Sequence, residues 1–298
     1  MASFIVYNIQ LLPADTKSTK EIGEEGYKAL FAGLERETRD AYKNKSLSNI
    51  SFELINDAYF APRRTIVQRG YAYGEWLKYS RSDSVDDLYS NARLFEATSG
   101  TYPVANRFSF EYVFDYKTHR LAISESGGRL PSPLICERAL LFIFESFAIK
   151  LFPNHVLTVN LISDSTELDQ VLANAEGYKS VSATLTFPNG HRLGRQLQEL
   201  KDNNVHHLKI DASAGSKNTA MPDLPGFLRE MVEASVNYGK AKIAYITEAG
   251  GKILHYASTK YPAKIRLRLK KGEQPAELRR RIVQAIRRLG AGGRGDDL

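Results

Sequence analysis

The sequence has 298 residues, 43% of them hydrophobic and 25% charged, and it carries a formal net charge of +7. This composition excludes a wholly disordered chain, and the length suits two domains of ordinary size. The single cysteine, Cys136, excludes a disulfide within the chain and a zinc site made of several thiolates.

The first hundred residues predict an N-terminal α+β domain. A strand is predicted at residues 3–11, and a helix at residues 19–45, where apolar residues recur at helical spacing. Shorter strand patterns follow at residues 50–55, 64–73 and 75–80. Residues 80–107 are polar and contain Gly and Pro, so we predict that the domain ends near residue 100.

Residues 101–263 alternate between strand and helix patterns and predict a central α/β domain. RFSFEYVFDYKTHRLAISES predicts a hairpin, and the following segment, starting at Ser132 and Pro133, predicts a buried helix because it is apolar nearly all round. A second hairpin is predicted at residues 240–259, with its turn at Gly250–Gly251. The overall expectation is an α+β fold with mixed or antiparallel sheets and packed helices, in two parts.

The C-terminal segment concentrates the positive charge of the protein. Residues 264–288 contain ten Lys or Arg and two Glu, whereas residues 1–263 have no net charge. We predict that residues 264–290 form a strand and a helix that complete the second domain, and that the glycine-rich residues 291–298 are disordered. A dense local excess of cations is what a polyanion site requires.

Strand alternation predicts that Ile265, Leu267 and Leu269 point to one face, while Lys264, Arg266, Arg268 and Lys270 point to the other. In the helix, an apolar stripe that includes Leu278 and Ile282 is expected to dock on the sheet and to leave arginines outside. Phosphate is a natural counterion for such side chains. The predicted nucleic-acid site consists of Lys264, Arg266, Arg268, Lys270, Lys271, Arg279, Arg280, Arg281, Arg287 and Arg288, extended by Lys240 and Lys242.

The basic segment could instead face a membrane, water or an acidic protein. A helix that lies on an anionic membrane needs a large exposed apolar face, and this helix uses its Leu and Ile for the core. An ordinary solvated face is less favoured because cations at alternate strand positions repel one another. An acidic protein partner stays open. Because nothing in the segment specifies a base sequence, binding to nucleic acid with little sequence preference is expected.

A secondary basic region mixes arginines with aromatic residues, a combination that suits single-stranded nucleic acid because bases stack on rings. The same composition is ordinary for an amphipathic strand, which is the interpretation we favour. The residues are Arg63, Arg64, Arg69 and Arg81, with Tyr71, Tyr73, Trp76 and Tyr79.

Catalytic motifs give little support to an enzyme. The glycine-containing stretches ESGGR and EAGGK do not match phosphate-binding loops, and no histidine lies in an HExxH motif. One alternative is a metal-dependent nuclease or RNA-targeting toxin that uses Glu111, Asp115 and Lys117, since a carboxylate-x-lysine unit can orient a metal-bound water. The same residues are also common turn chemistry. No cofactor and no small-molecule substrate are predicted.

From residue 107 to residue 263 the order of elements resembles phage-exclusion proteins of the RexA kind and related bacterial families of unknown function. The resemblance lies in RFSFEYVFDYKTHRLAIS, in the helix that begins with Ser-Pro, and in HVLTVNLISDSTELDQVLANAEGYKSVSATLTFP. It continues through HLKIDAS and the hairpin KAKIAYITEAGGKILHYAS. It is a resemblance of order and hydrophobic pattern and contains no catalytic motif.

This resemblance implies a non-enzymatic DNA-binding protein of antiphage defence that forms a homo-oligomer, most simply a dimer. It also implies a membrane-embedded or effector partner encoded nearby, and the KwaB component of Kiwa defence is similar in this respect. The N-terminus lacks the pattern of a signal peptide, and no apolar run approaches the ~18 residues of a membrane span. The expected location is the cytoplasm.

Overall fold

The computed structural model describes residues 1–15, 18–188, 195–216, 219–248 and 251–290. Its strands are β1 (Ala2–Pro13), β2 (Phe52–Glu53), β3 (Ala58–Val67), β4 (Tyr71–Arg81), β5 (Ser84–Asp86), β6 (Arg93–Glu96), β7 (Val104–Asp115), β8 (Arg120–Ser124), β9 (His155–Leu161), β10 (Gly177–Thr186), β11 (His207–Ser213), β12 (Gly239–Ile246), β13 (Leu254–Ala257) and β14 (Lys264–Leu267). Its α-helices are α1 (Glu24–Lys43), α2 (Pro133–Leu151), α3 (Ser165–Asn174), α4 (Arg195–Asp202), α5 (Gly226–Tyr238) and α6 (Pro275–Gly290). The tail predicted to be disordered, residues 291–298, and Gly250 of the predicted hairpin turn lie outside the described residues.

The larger sheet has eight strands in the order β14-β1-β8-β7-β4-β3-β2, with β9 also paired to β1. β14 pairs with residues 2–5 of β1, and β9 pairs with residues 7–13 of the same strand. All of these pairs are antiparallel. The predicted α+β fold with antiparallel sheets and packed helices is confirmed.

Helices cover both faces of the larger sheet, as the alternation along β1 requires. Tyr7 and Ile9 point into one core, which they share with apolar side chains of α1 and α2. Phe4 and Val6 point the other way, into a core that is completed by β14 and α6. The first core is rich in stacked rings, and Phe31 of α1 lies 4.4 Å from Phe114 between ring centroids. The sheet is therefore the middle layer of three.

The smaller sheet has four strands in the order β11-β10-β12-β13. Its core lies on one face only and contains Leu168 of α3 and Met231 and Val236 of α5. The other face is polar, as expected for an antiparallel sheet with one solvated side. The predicted hairpin at residues 240–259 is present as the pair β12–β13.

Direct contacts join the two sheets. The backbone N–H of Ser163 donates to the carbonyl of Val236 at 2.9 Å. Glu137 of α2 accepts a hydrogen bond from the backbone N–H of Leu161 at 2.8 Å and another from Lys240 Nζ of β12 at 2.6 Å. A buried carboxylate thus ties α2 to both sheets.

The polar stretch predicted as a domain boundary is an excursion from the larger sheet. β4 and β7 flank it and pair along nearly their whole length, so the sheet continues across residue 100. Between them β5 and β6 form a separate two-stranded hairpin. The hairpin exposes large apolar side chains, among them Leu88 (82% exposed) and Tyr89 (91%) between its strands and Leu94 (66%) in β6.

The strand prediction at residues 64–73 is wrong in one respect. β3 ends at Val67 and β4 begins at Tyr71, and a tight turn separates them, in which Gln68 N–H donates to the Tyr71 carbonyl at 3.0 Å. The pattern alone could not show the turn because apolar residues lie on both sides of it. Among the described helices, none is both long enough and apolar enough to span a membrane.

Candidate nucleic-acid interface

The basic C-terminal segment forms the edge strand β14 and the helix α6. Ile265 and Leu267 are completely buried, and they pack against Ile282 and Ile286 of α6. The strand then ends, and Gly272 adopts a positive φ of 77° as the chain turns towards Pro275 at the start of α6. The prediction that Leu269 continues the apolar strand face of Ile265 and Leu267 is wrong, because the strand ends at Leu267, and Leu269 is 53% exposed.

The two cations within β14, Lys264 and Arg266, do not form one surface with the helix cations. Since Ile265 and Leu267 face α6, Lys264 and Arg266 point to the opposite face of the sheet. There Lys264 Nζ lies 2.8 Å from Glu125 Oε1. The predicted site is therefore divided between the two faces of the sheet, with Lys264 and Arg266 on the face opposite α6.

Arg281 is buried rather than part of an outer surface. It is 8% exposed, and its Nη1 and Nη2 each donate to the carbonyl of Arg268 at 3.1 Å. Nη1 also donates to Glu273 Oε1 at 2.7 Å. The predicted role of Arg281 in an exposed surface is corrected: its guanidinium holds the connection between β14 and α6 in place.

The Arg281–Glu273 pair predicts a pH-dependent stability. The hydrogen bond from Arg281 lowers the pKa of Glu273. A lowered folded-state pKa stabilises the fold above the unfolded pKa of about 4.3, and this stabilisation is lost as the pH falls through the folded value. Urea denaturation should show that Glu273→Gln is less stable than the wild type at about pH 7, with a smaller difference at about pH 3.5. An equal difference at both pH values would contradict this role.

Arg287 also has an internal partner, and this partner is a residue of the nuclease hypothesis. Its Nε and Nη2 donate to Asp115 Oδ1 at 3.1 and 2.7 Å. Asp115 is fully buried, and its other oxygen accepts hydrogen bonds from the N–H and Oγ1 of Thr118 at 3.1 and 2.8 Å. Asp115 therefore has the turn role that was the competing interpretation of this motif.

The nuclease residues are not brought together. Glu111 and Asp115 lie on one face of β7 but four residues apart, a separation of about 13 Å along a strand. Lys117 is exposed beyond the end of β7. In the described part of the chain, no three His, Cys, Asp or Glu side chains are grouped closely enough to hold a metal ion.

Cations remain exposed after these internal pairs are accounted for. Four of them, Arg268, Lys271, Arg280 and Arg288, have no ion-pair or hydrogen-bond partner for their side chains among the described residues. Lys270 is also exposed and lies 3.7 Å from Glu277. We call the set Arg268, Lys270, Lys271, Arg280 and Arg288 the α6 surface.

The structure brings part of the secondary basic region next to α6. The guanidinium carbon of Arg279 lies 3.8 Å from the ring centroid of Tyr73 on β4. Arg64 of β3 is exposed on the same sheet face, where Arg63 forms an ion pair of 2.7 Å with Glu75. The aromatic and basic residues that the sequence separates by two hundred positions are neighbours.

Other members of the secondary region are not available to bases. Trp76 is completely buried and Tyr79 is 5% exposed, so neither can stack on a ligand. Arg81 is exposed but lies over the ring of Tyr59, at 4.9 Å. The remaining members, Arg69 and Tyr71, lie at the turn between β3 and β4.

Gly74 allows the strands beneath this region to approach closely. A Cβ built on Gly74 would lie 1.9 Å from the carbonyl oxygen of Arg64, which is less than any real contact. The register of β3 and β4 shifts between Pro62 and Arg64, which is typical of a β-bulge. The bulge brings the Arg64 carbonyl against Gly74, where a side chain has no room, and Arg64 and Tyr73 line one depression.

Lys240 and Lys242 lie on β12 of the smaller sheet, not on the sheet that carries β14 and α6. Lys240 is bound to Glu137, whereas Lys242 is exposed. The structure therefore does not place them as an extension of the α6 surface.

A groove that sequence reasoning did not find opens between α6 and β7. Its volume is about 260 Å³, and Glu111, Leu269, Leu278 and Arg279 are among the residues that line it. A smaller depression of about 60 Å³ shares Glu111 and Arg279 with it and includes Arg64. We call the two together the α6 groove. Only the packing of α6 on the sheet creates it, so no local pattern could have indicated it.

A family model described as Domain of unknown function (DUF4747) matches residues 2–287, and the chain therefore belongs to this family. The match covers both sheets and all but the last turn of α6. A comparison with curated proteins found no match.

Proposed function

We propose that this DUF4747 protein binds nucleic acid, with DNA as the preferred ligand, through the α6 surface and without enzymatic activity of its own. The observation that supports this most directly is the group of four exposed cations, Arg268, Lys271, Arg280 and Arg288, whose side chains have no described partner. Cations held close together without counterions repel one another, and a phosphate backbone relieves that repulsion.

The folded structure also restrains the segment that carries these cations. Arg281 fixes the backbone at Arg268, and Arg287 ties α6 to β7 through Asp115. Arg280 and Arg288 are both exposed on this helix. A preorganised cationic surface loses less conformational entropy on binding than flexible side chains on a disordered tail.

The wider role that we propose is that of a sensor or regulatory subunit in bacterial antiphage defence, acting in the cytoplasm. Its support is the resemblance of residues 107–263 to RexA-like proteins. On this proposal the protein forms a homo-oligomer and works with a membrane-embedded or effector partner encoded nearby. Co-purification with the product of a neighbouring gene tests this part separately from DNA binding.

Salt dependence provides the test of the binding function. If four cations each neutralise one phosphate, the logarithm of the affinity for a duplex should fall with the logarithm of salt concentration with a slope of about −3.6. Between about 50 and about 200 mM salt this corresponds to a loss of about 150-fold. Fluorescence anisotropy with a labelled random-sequence DNA duplex measures the slope.

Parallel titrations give this test its controls. A second duplex of unrelated sequence should bind with equal affinity, and an RNA duplex should bind more weakly. An acidic protein in place of DNA tests the alternative of an acidic protein partner. No binding of either duplex at about 50 mM salt, where phosphate contacts are strongest, would refute the proposed function.

A further inference from the structure

In the part of the chain that the structure describes, three carboxylates line the α6 groove, those of Glu75, Glu111 and Glu273. Glu75 is bound to Arg63 and Glu273 to Arg281, whereas Glu111 differs from both. Its side chain is exposed and has no ion pair or hydrogen bond among the described residues, although Arg64, Lys270 and Arg279 line the same groove. A carboxylate repels a phosphate backbone, so it weakens phosphate binding unless it contacts something else. An ionised carboxylate is a hydrogen-bond acceptor with two oxygens and no donor.

The groove also has an apolar side, which phosphate contacts do not require. Leu269 is 53% exposed and lines the groove together with Leu278 and Pro275. Tyr73 covers one face of the Arg279 guanidinium. A planar guanidinium has two faces, and the second can stack on a nucleobase. An acceptor, an apolar wall and a stacking plane therefore converge in about 260 Å³.

These features match one base better than the others. The Watson–Crick edge of guanine presents two adjacent donors, N1–H and N2–H, which fit the two oxygens of one carboxylate. Cytosine and adenine place an acceptor next to their amino group, and thymine places a carbonyl on each side of its N–H. Each of those three edges sets an acceptor against the carboxylate, which is repulsive.

We propose that the α6 groove binds a single unpaired guanine, an inference that rests on the nucleic-acid-binding function proposed above. Glu111 accepts hydrogen bonds from guanine N1–H and N2–H, the base lies against Leu278 and the guanidinium of Arg279, and Arg64 and Lys270 contact the flanking phosphates. In a duplex these guanine donors are bound to cytosine. The groove therefore selects single strands or frayed ends, while the α6 surface binds any duplex.

The test uses fluorescein-labelled oligodeoxythymidylates of about ten nucleotides that differ at one central position. The wild-type protein should bind the oligonucleotide with central guanine roughly tenfold more tightly than the one with thymine at that position. Central hypoxanthine, which lacks the N2 amino group, should lose most of this preference. Glu111→Gln should remove the preference, while the affinity for duplex DNA and its salt slope stay within about twofold of wild type.

A matched control is Glu145→Gln, which removes an exposed carboxylate from α2, on the other face of the sheet from the groove. It should keep the guanine preference. The inference is overturned if the wild type binds all the oligonucleotides equally, or if Glu111→Gln strengthens binding to every one of them, because Glu111 would then only repel phosphate. If the wild-type protein bound neither the oligonucleotides nor duplex DNA, the proposed function itself would be refuted. Failure of the guanine inference and failure of the proposed function are therefore distinguishable.

Discussion

Reversing the four partnerless cations of the α6 surface should abolish duplex binding. In the variant Arg268→Glu, Lys271→Glu, Arg280→Glu and Arg288→Glu, each phosphate contact becomes a repulsion. The affinity at about 50 mM salt should fall by at least about 100-fold, and the salt slope should approach zero. Fluorescence anisotropy with the random-sequence duplex measures both quantities. All four side chains are exposed, so the melting temperature should change little.

The control for this variant carries the same change of charge on the opposite layer of the molecule. The variant Arg36→Glu, Lys43→Glu, Arg138→Glu and Lys150→Glu alters exposed positions on α1 and α2, which cover the other face of the sheet from α6. It should weaken binding by less than about fivefold, through long-range electrostatics alone. If both variants lose affinity equally, the net charge and not the α6 surface is responsible.

Removing the carboxylate of Glu137 should lower the free energy of unfolding by about 3 kcal/mol. The Leu161 N–H is then buried without an acceptor, and Lys240 loses its partner. Urea denaturation of Glu137→Ala measures the free energy of unfolding. Glu137→Gln keeps an oxygen for the Leu161 N–H and should cost about 1 kcal/mol.

Lys240→Met separates the structural role of this lysine from the DNA-binding role predicted from sequence. Because Lys240 is bound to Glu137 on the smaller sheet, the variant should keep the affinity for duplex DNA within about twofold of wild type. A large loss of affinity for duplex DNA without a loss of stability would show that Lys240 contacts DNA.

Local periodicity predicted the elements of the basic segment well, and tertiary contacts explain where it failed. Ile265 and Leu267 are buried as strand alternation requires, and Ile282 and Ile286 form the docking stripe of α6. Leu269 departs from the pattern because a turn follows β14. Arg281 lies beside the apolar stripe, and its burial depends on the Arg268 carbonyl and on Glu273, which no periodic pattern reports.

Non-local pairing accounts for the other differences. Residues 80–107 have the composition of a linker, yet they leave and re-enter one sheet, because β4 and β7 pair on either side of them. The proximity of Tyr73 and Arg279 depends on how α6 crosses the sheet. In the same way, the sequence indicated Glu111 as a candidate for metal chemistry, whereas in the fold it lies in a groove with Arg279 and Leu278, and the carboxylates nearby, Glu75 and Glu273, are bound to arginines.

The pairing of β14 with β1 has a consequence for the order of events during synthesis. β1 leaves the ribosome before β14, and its edge at residues 2–5 lacks this partner until β14 emerges more than 250 residues later. Contacts so distant in sequence slow folding, and an open strand edge favours aggregation while it waits. The core between the sheet and α6 is completed only when β14 and α6 are available. A nascent chain therefore gains the proposed DNA-binding surface only after β14 and α6 have emerged and packed on β1.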